Sequence, residues 1–323
     1  MSPQLETEKS PSRVVTVFSV ALAVLCGAGV ASQSRINGAL GASIGDGFAA
    51  ALISFGSGLV LMLVALAISP QGRRGARQVA REVRTRAIPF WYVLGGAAGA
   101  FLVLSQGLVA GILGVALFTV GIVAGQTIGG LVVDRRGLGT MAANPLTVQR
   151  LVGSALALVA VGVAVSAQLA GSVPFWMLIL PFIAGAGTSW QQAVNGQVKA
   201  IANSAITATL NNFIVGTIIL GVAFVIHSLI VGWPTHLPTQ PWLYIGGAIG
   251  VFFIAMASIL VKSIGVLLLG LATIAGQLVA SLVIDLIFPA ETAIAATTII
   301  GTLLTLVAVA IAAWPRRNSR PTA

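Results

Sequence analysis

The sequence predicts an all-α integral membrane protein of ten transmembrane helices, arranged as two inverted five-helix repeats. Composition is the first reason: 57% of the 323 residues are hydrophobic and 7% charged, against about 25% charged in soluble domains. The mean hydropathy is +1.03. The second reason is internal repetition. Gln33, Asn37 and Gly38 return 158 positions later as Gln191, Asn195 and Gly196, and Ala50, Leu52, Phe55 and Gly58 return as Ala208, Leu210, Phe213 and Gly216. At an offset of 151, Trp91, Gly95, Gly96, Ala97, Gly99 and Phe101 return as Trp242, Gly246, Gly247, Ala248, Gly250 and Phe252. Gly125, Gln126, Leu131, Val132 and Asp134 then return as Gly276, Gln277, Leu282, Val283 and Asp285. The third reason is charge. With the N-terminus inside, 16 of the 17 basic residues fall on the cytoplasmic side and only Arg35 on the other, as the positive-inside rule requires. An odd number of spans per unit sets the two copies in opposite senses, the construction of many secondary transporters.

The elements follow in order. Residues 1–13 form a cytoplasmic tail; Glu6 and Glu8 deny it the positive region of a cleaved signal, so the first span is read as retained. Spans near 14–34, 46–69, 89–107, 111–133 and 148–168 make the first repeat, 14–168. The second opens at Asp46 and ends at Ser69-Pro70, and Pro89 starts the third. Gly107 to Gly111 separates third from fourth, and Asn144-Pro145 precedes the fifth. Gly171 to Pro174 divides the halves. Spans near 174–194, 204–231, 242–261, 264–287 and 292–314 make the second repeat, 174–314, followed by a cytoplasmic tail, 315–323. Pro181 is expected to kink the sixth span. Pro234, Pro238 and Pro289 mark later breaks, and Lys262 marks the turn between the eighth and ninth. The segment holding Arg73, Arg74, Arg77, Arg81, Arg84 and Arg86 is read as a loop. It serves either as a topology anchor or as a contact for anionic lipid.

Several classes are excluded by what the chain lacks. The net charge of +10 comes in short tracts beside apolar runs, without the aromatic interleaving of a nucleic-acid groove. Cys26 is the single cysteine and has no partner for a disulfide or a metal site. His227 and His236 are nine apart with no acid pattern around them. No phosphate-binding loop or nucleotide fingerprint stands out. No enzyme, catalytic residue, metal or cofactor is expected. Trp91, Trp233, Trp242 and Trp314 lie at expected interfaces.

The candidate site is polar and sparse. Gln33 and Asn37 share one helical face, as do Gln191 and Asn195, and an inverted two-fold brings both pairs to one central space. They read either as the wall of a pathway or as interhelical bonding and an Asn-Gly helix end. Gln126 and Gln277 lie deeper, each eight residues from a boundary aspartate. Gly121, Gly125 and Gly129 form a small-residue stripe beside Gln126, so a packed seam competes with a pathway role. Arg35 has no repeat mate, because position 193 is alanine; it reads either as a carboxylate or phosphate contact or as an exposed arginine paired with Asp46. Trp190, next to Gln191, walls the same space or packs. Asp46, Asp134 and Asp285 are the acids available for a proton site, with N-capping or loop anchoring as the alternative roles.

Together the QxxxNG, GGAxGxF and GQxxxxLVxD patterns resemble the YdcZ-like branch of the drug/metabolite transporter superfamily, in its fused ten-span form, over about residues 14–314. The resemblance implies a bacterial inner-membrane exporter of two inverted five-helix repeats. It does not name a substrate, and the chain lacks the first-span glutamate of the small multidrug branch. The expected function is export of a small neutral, zwitterionic or anionic metabolite by alternating access. The alternatives are a proton-coupled exporter of drugs or organic cations, and a membrane assembly or lipid-interacting protein that transports nothing. Expected partners are the small-molecule substrate and the lipid bilayer, with a homodimer left open and nucleic acid excluded.

Overall fold

Helix ends in an apolar chain must satisfy their own backbone groups, and the cap residues here show where each helix stops. The computed structural model describes residues 13–136, 148–169, 174–289 and 294–313; the described residues are helical, with no strand. The helices are α1 Arg13–Ile44, α2 Gly47–Ile68, α3 Pro70–Arg84, α4 Gly95–Ser105, α5 Gly111–Leu113, α6 Val115–Arg136, α7 Val148–Leu169, α8 Phe175–Ala202, α9 Ala205–Val231, α10 Gly246–Ile287 and α11 Ala296–Ala313. Short 3-10 turns at Phe90–Leu94 and Pro241–Tyr244 precede α4 and α10. Six stretches of the described residues are long and apolar enough to cross a membrane: Val17–Ile44, Gly47–Ile68, Phe90–Leu113, Val115–Val133, Ala205–Val231 and Leu269–Ile287. Leu151–Ala164, Gly246–Met256 and Ala296–Ile311 are shorter apolar runs.

The repeat is visible in the caps. Gly45, with φ +74, ends α1, and the Asp46 carboxylate caps α2 by accepting from the N–H groups of Phe48 at 2.8 Å and Ala49 at 3.1 Å. Positions 158 further on, Asn203 with φ +46 ends α8, and the Ser204 hydroxyl caps α9 by accepting from Thr207 N–H at 3.3 Å. Both junctions use a residue tolerant of positive φ followed by a strong capping residue.

Four expectations change. First, α1 does not end at 34 and α8 does not end at 194, so both Asn-Gly pairs lie inside helices. At Gly38 the reason is tertiary: a Cβ there would stand 2.7 Å from the backbone nitrogen of Gly111, so glycine lets two backbones meet. Second, the arginine-rich segment is a helix, α3. Ser69 caps it and Pro70 occupies its first turn, the arrangement proline favours. It ends in a Schellman motif, with Ala87 N–H donating to Glu82 O at 2.9 Å, Arg86 N–H to Val83 O at 3.1 Å, and Arg86 itself at φ +56. Third, the third span continues past Gly107 through a π-turn at Gln106–Ala110 and breaks at Gly114, where φ is +82.

The fourth change concerns α10, where helical backbone runs unbroken over 42 residues. Held straight, it would separate Gly246 from Asp285 by about 58 Å at 1.5 Å per residue. The contacts forbid that. Gly246 packs on Asn37, Gly38 packs on Gly111, and Asp285 binds Val115, four residues beyond Gly111. Both ends of α10 therefore lie at the same end of α1, while Thr273 and Gly276 lie against Gly27 and Val24, further down it. α10 is therefore not straight, and Gly246–Met256 and Leu269–Ile287 are its apolar stretches.

Candidate functional site

The amide motifs and the glycine motifs find each other across the two halves. Gln33, on α1, donates from Nε2 to the Gly246 carbonyl at 2.8 Å, and a Cβ at Gly250 would stand 2.7 Å from the same nitrogen. The second half repeats this with partners exchanged: a Cβ at Gly99 would stand 2.6 Å from Gln191 Nε2. Asn37 Oδ1 faces the α-carbon of Gly246, and Asn195 Oδ1 faces that of Gly95, where an added Cβ would stand 2.8 Å away. Each QxxxNG motif thus docks on the GGAxGxF motif of the other half, and bare glycine α-carbons make room for the amides. The aromatic rings beside them are exchanged in the same way. Phe213 lies over Gly58 and Phe55 over Gly216, and the two rings pack with centroids 5.1 Å apart.

The bonding in this zone is incomplete in a specific way. Asn37 is fully buried; its Nδ2 donates to Gln106 Oε1 at 2.7 Å, while its Oδ1 has no partner. Asn195 Oδ1, its repeat mate, is likewise buried without one. Leaving a buried acceptor unpaired costs about 1–3 kcal/mol; Ser54 Oγ, which also lies beside Gly246, is another such atom. Gln106 is a residue the sequence did not single out. It is fully buried at the start of the π-turn, accepts from Asn37 and donates to Ser34 Oγ at 3.0 Å. Position 257 is alanine, so this bridge exists in one half only, and no repeat signal marked it. In the other half Gln191 Nε2 donates to Asn212 Oδ1 at 3.2 Å, and Asn212 is the mate of Ser54.

Gln126 and Gln277 sit beside mirrored backbone seams. Gly185 of α8 meets Ile122 O and Gln126 N, and Gly27 of α1 meets Thr273 O and Gln277 N. From the opposite side, Gly125 meets Phe182 O and Gly276 meets Val24 O. Gln126 also donates from Nε2 to Thr188 Oγ1 at 3.2 Å. Gln277 is buried, whereas Gln126, Trp190, Gln191, Asn195 and Arg35 are half-buried.

The acids are tied to helix starts. Asp285, 2% exposed, accepts from Val115 N–H at 2.9 Å and Ala116 N–H at 2.6 Å, so its carboxylate closes the N-terminus of α6 just after the Gly114 break. Negative charge there is favoured by the helix dipole. Asp46, besides capping α2, lies 3.8 Å from His227 Nε2, and the His227 ring stacks on Phe48 at 4.4 Å. The expected pairing of Arg35 with Asp46 is replaced by these contacts. The side chain of Asp134 lies outside the described residues, as does Trp314. Among the described residues, no group of three potential metal ligands occurs.

A long apolar helical chain whose halves exchange equivalent contacts is the architecture of a multi-pass membrane protein made from a duplicated unit. The family model described as "Putative inner membrane exporter, YdcZ" matches residues 18–165 and again 176–311. The chain belongs to this family and carries its unit twice. A solved structure described only as "Crystal structure of protein" aligns over 93% of this chain and 97% of that one, with a TM-score of 0.52 and 17% identity; at that identity the likeness is one of fold. A comparison with curated proteins gives no match.

Proposed function

We propose that the protein is a secondary transporter of the inner membrane, with ten spans in two inverted repeats and both termini cytoplasmic. It exports a small neutral, zwitterionic or anionic metabolite by alternating access. The observation that carries this reading is the mirrored docking of amides on glycines, together with the unpaired Asn37 and Asn195 carbonyl oxygens. Exchanged, pseudo-symmetric seams are what two halves need in order to rock against each other about a fixed site. The unpaired oxygens accept hydrogen bonds from substrate amine, amide or hydroxyl groups when a seam opens. Gln33, Gln126, Gln191 and Gln277 supply further amides along the pathway, Trp190 flanks it, and Arg35 takes a substrate carboxylate or phosphate.

The proton-coupled alternative is weakened by the caps. Asp46 holds a position that its mate Ser204 fills without a charge, and Asp285 already receives two backbone N–H groups. The experiment is a proteoliposome transport screen over amino acids, nucleosides, sugars, organic acids and quaternary amines, with Asn195→Leu as the diagnostic variant. Leucine is close in shape and removes the unpaired oxygen, so a packing role leaves stability unchanged or improved and transport intact. A substrate role abolishes transport at retained stability. If no compound is transported or shifts the melting temperature, the non-transporting reading replaces this one.

A further inference from the structure

We propose that α3 and the groove between it and α9 form a binding site for an anionic phospholipid. The inference rests on the chain being embedded in a bilayer and is independent of what it transports. Arg77, Arg81 and Arg84 recur at helical spacing on one exposed face of α3 and line a single depression with Ala80 and Thr85. Glu82 is the only acid on the helix. Arg84 also borders a second groove of about 430 Å³, lined by Val79, Val83, Val93, Leu210 and Ile214 among others. One arginine is therefore shared by a cationic depression and an apolar slot.

The slot has an outlet. Ile214, Ile218 and Val222 lie four apart on α9 and are 38%, 61% and 57% exposed, forming an apolar stripe that leads from the groove along the outer face of the bundle. A phosphate held by the arginines, with an acyl chain passing Leu210 and Ile214 onto that stripe, fits both halves of the site. A free phosphate or an acidic peptide would leave the apolar half unfilled.

The site is held in place by more than the arginines. Thr207 Oγ1 donates to Gly72 O at 3.0 Å, and Gln71 donates to the Asn203 carbonyl. A Cβ at Gly75 would stand 2.6 Å from Thr207 Oγ1. Arg73 donates to the last carbonyls of α2 at Leu66 and Ala67, so it is occupied as a cap; Arg77 donates from Nε to Arg73 O at 3.3 Å, and Arg77, Arg81 and Arg84 are exposed. The equivalent segment of the second half, 232–240, contains no Lys or Arg. The lipid site therefore belongs to one half and to one leaflet.

The test is lipid retention in native mass spectrometry of the full-length protein, paired with melting temperature. The additions are phosphatidylglycerol, phosphatidylcholine or inorganic phosphate. Phosphatidylglycerol is expected to be retained and to raise the melting temperature, with little effect from the other two. The triple variant R77Q/R81Q/R84Q is expected to weaken retention at least tenfold, since each arginine near an anionic surface contributes about fivefold before screening. R77K/R81K/R84K retains much of the binding. Ile214→Trp, which blocks the slot without touching charge or α3, is expected to reduce phosphatidylglycerol retention and keeps the test decisive if the triple variant does not fold. Equal retention of phosphatidylcholine, undiminished retention in both variants, or a phosphate-induced shift equal to that of the lipid would each overturn the proposal.

Discussion

Replacing Gly125 or Gly276 by alanine tests the mirrored seams, because alanine in a helix ordinarily stabilises by about 0.5–1 kcal/mol relative to glycine. Here the added methyl has no room. At Gly125 it would overlap the Phe182 carbonyl oxygen and stand 2.8 Å from its carbon; at Gly276 it would overlap the Val24 carbonyl oxygen and stand 2.8 Å from its carbon. Backbone cannot rotate away as a side chain can. The facing helices must separate by roughly 1 Å, and overpacking of that kind costs about 1–3 kcal/mol. Subtracting the propensity gain, each variant is expected to lose up to about 2.5 kcal/mol, with similar losses in the two halves because the contacts are equivalent. Gly130 and Gly162, where an added Cβ meets nothing within 4 Å, are the controls and should gain stability. Thermal unfolding in detergent, followed by tryptophan fluorescence, reads all four. Gly125→Ala and Gly276→Ala matching the controls would refute the seam argument.

Other variants separate the roles of the polar residues. Gln106→Leu should destabilise by about 1–3 kcal/mol, because it strands Asn37 Nδ2 in a buried site, and a thermal melt checks it. Arg86→Gly should raise stability by up to about 1 kcal/mol by relieving a left-handed non-glycine residue at the end of α3; an unchanged or lower melting temperature would contradict that account. Asp46→Asn should keep its cap and leave transport intact, whereas Asp46→Ala loses about 1 kcal/mol. Loss of transport in Asp46→Asn at normal expression would restore the proton-coupled reading. Arg35→Gln should remove transport of acidic or zwitterionic substrates while sparing the melting temperature, and unchanged transport across the metabolite panel would remove Arg35 from the site.

The offsets of 158 and 151 marked the amides and the glycines as repeated residues, because duplication copies glycines along with the amides that need them. They did not reveal that each amide pair serves the glycines of the other half, since sequence places mates and not contacts. Asn37-Gly38 looked like a helix end by local propensity; tertiary contact with Gly111 carries the helix on to Ile44. The arginine segment did carry its signals, Ser69-Pro70 at its start and Gly72, Gly75, Val79 and Val83 on one face, but charge density masked the helical period. Gln106 was invisible for the opposite reason: it has no repeat mate, and one glutamine in an apolar run announces nothing until Asn37 is found against it. The Gly114 break leaves α6 with unpaired N–H groups, and only the fold brings Asp285 from the other half to accept from them.

The central claim is that the two halves cross the membrane in opposite senses. Single cysteines at Arg81, on α3, and at His236, in the corresponding segment of the second half, test it directly in a Cys26→Ser background with a membrane-impermeant thiol reagent. In intact cells His236→Cys should be labelled and Arg81→Cys only after permeabilisation. Labelling of both from the same side would contradict the inverted arrangement.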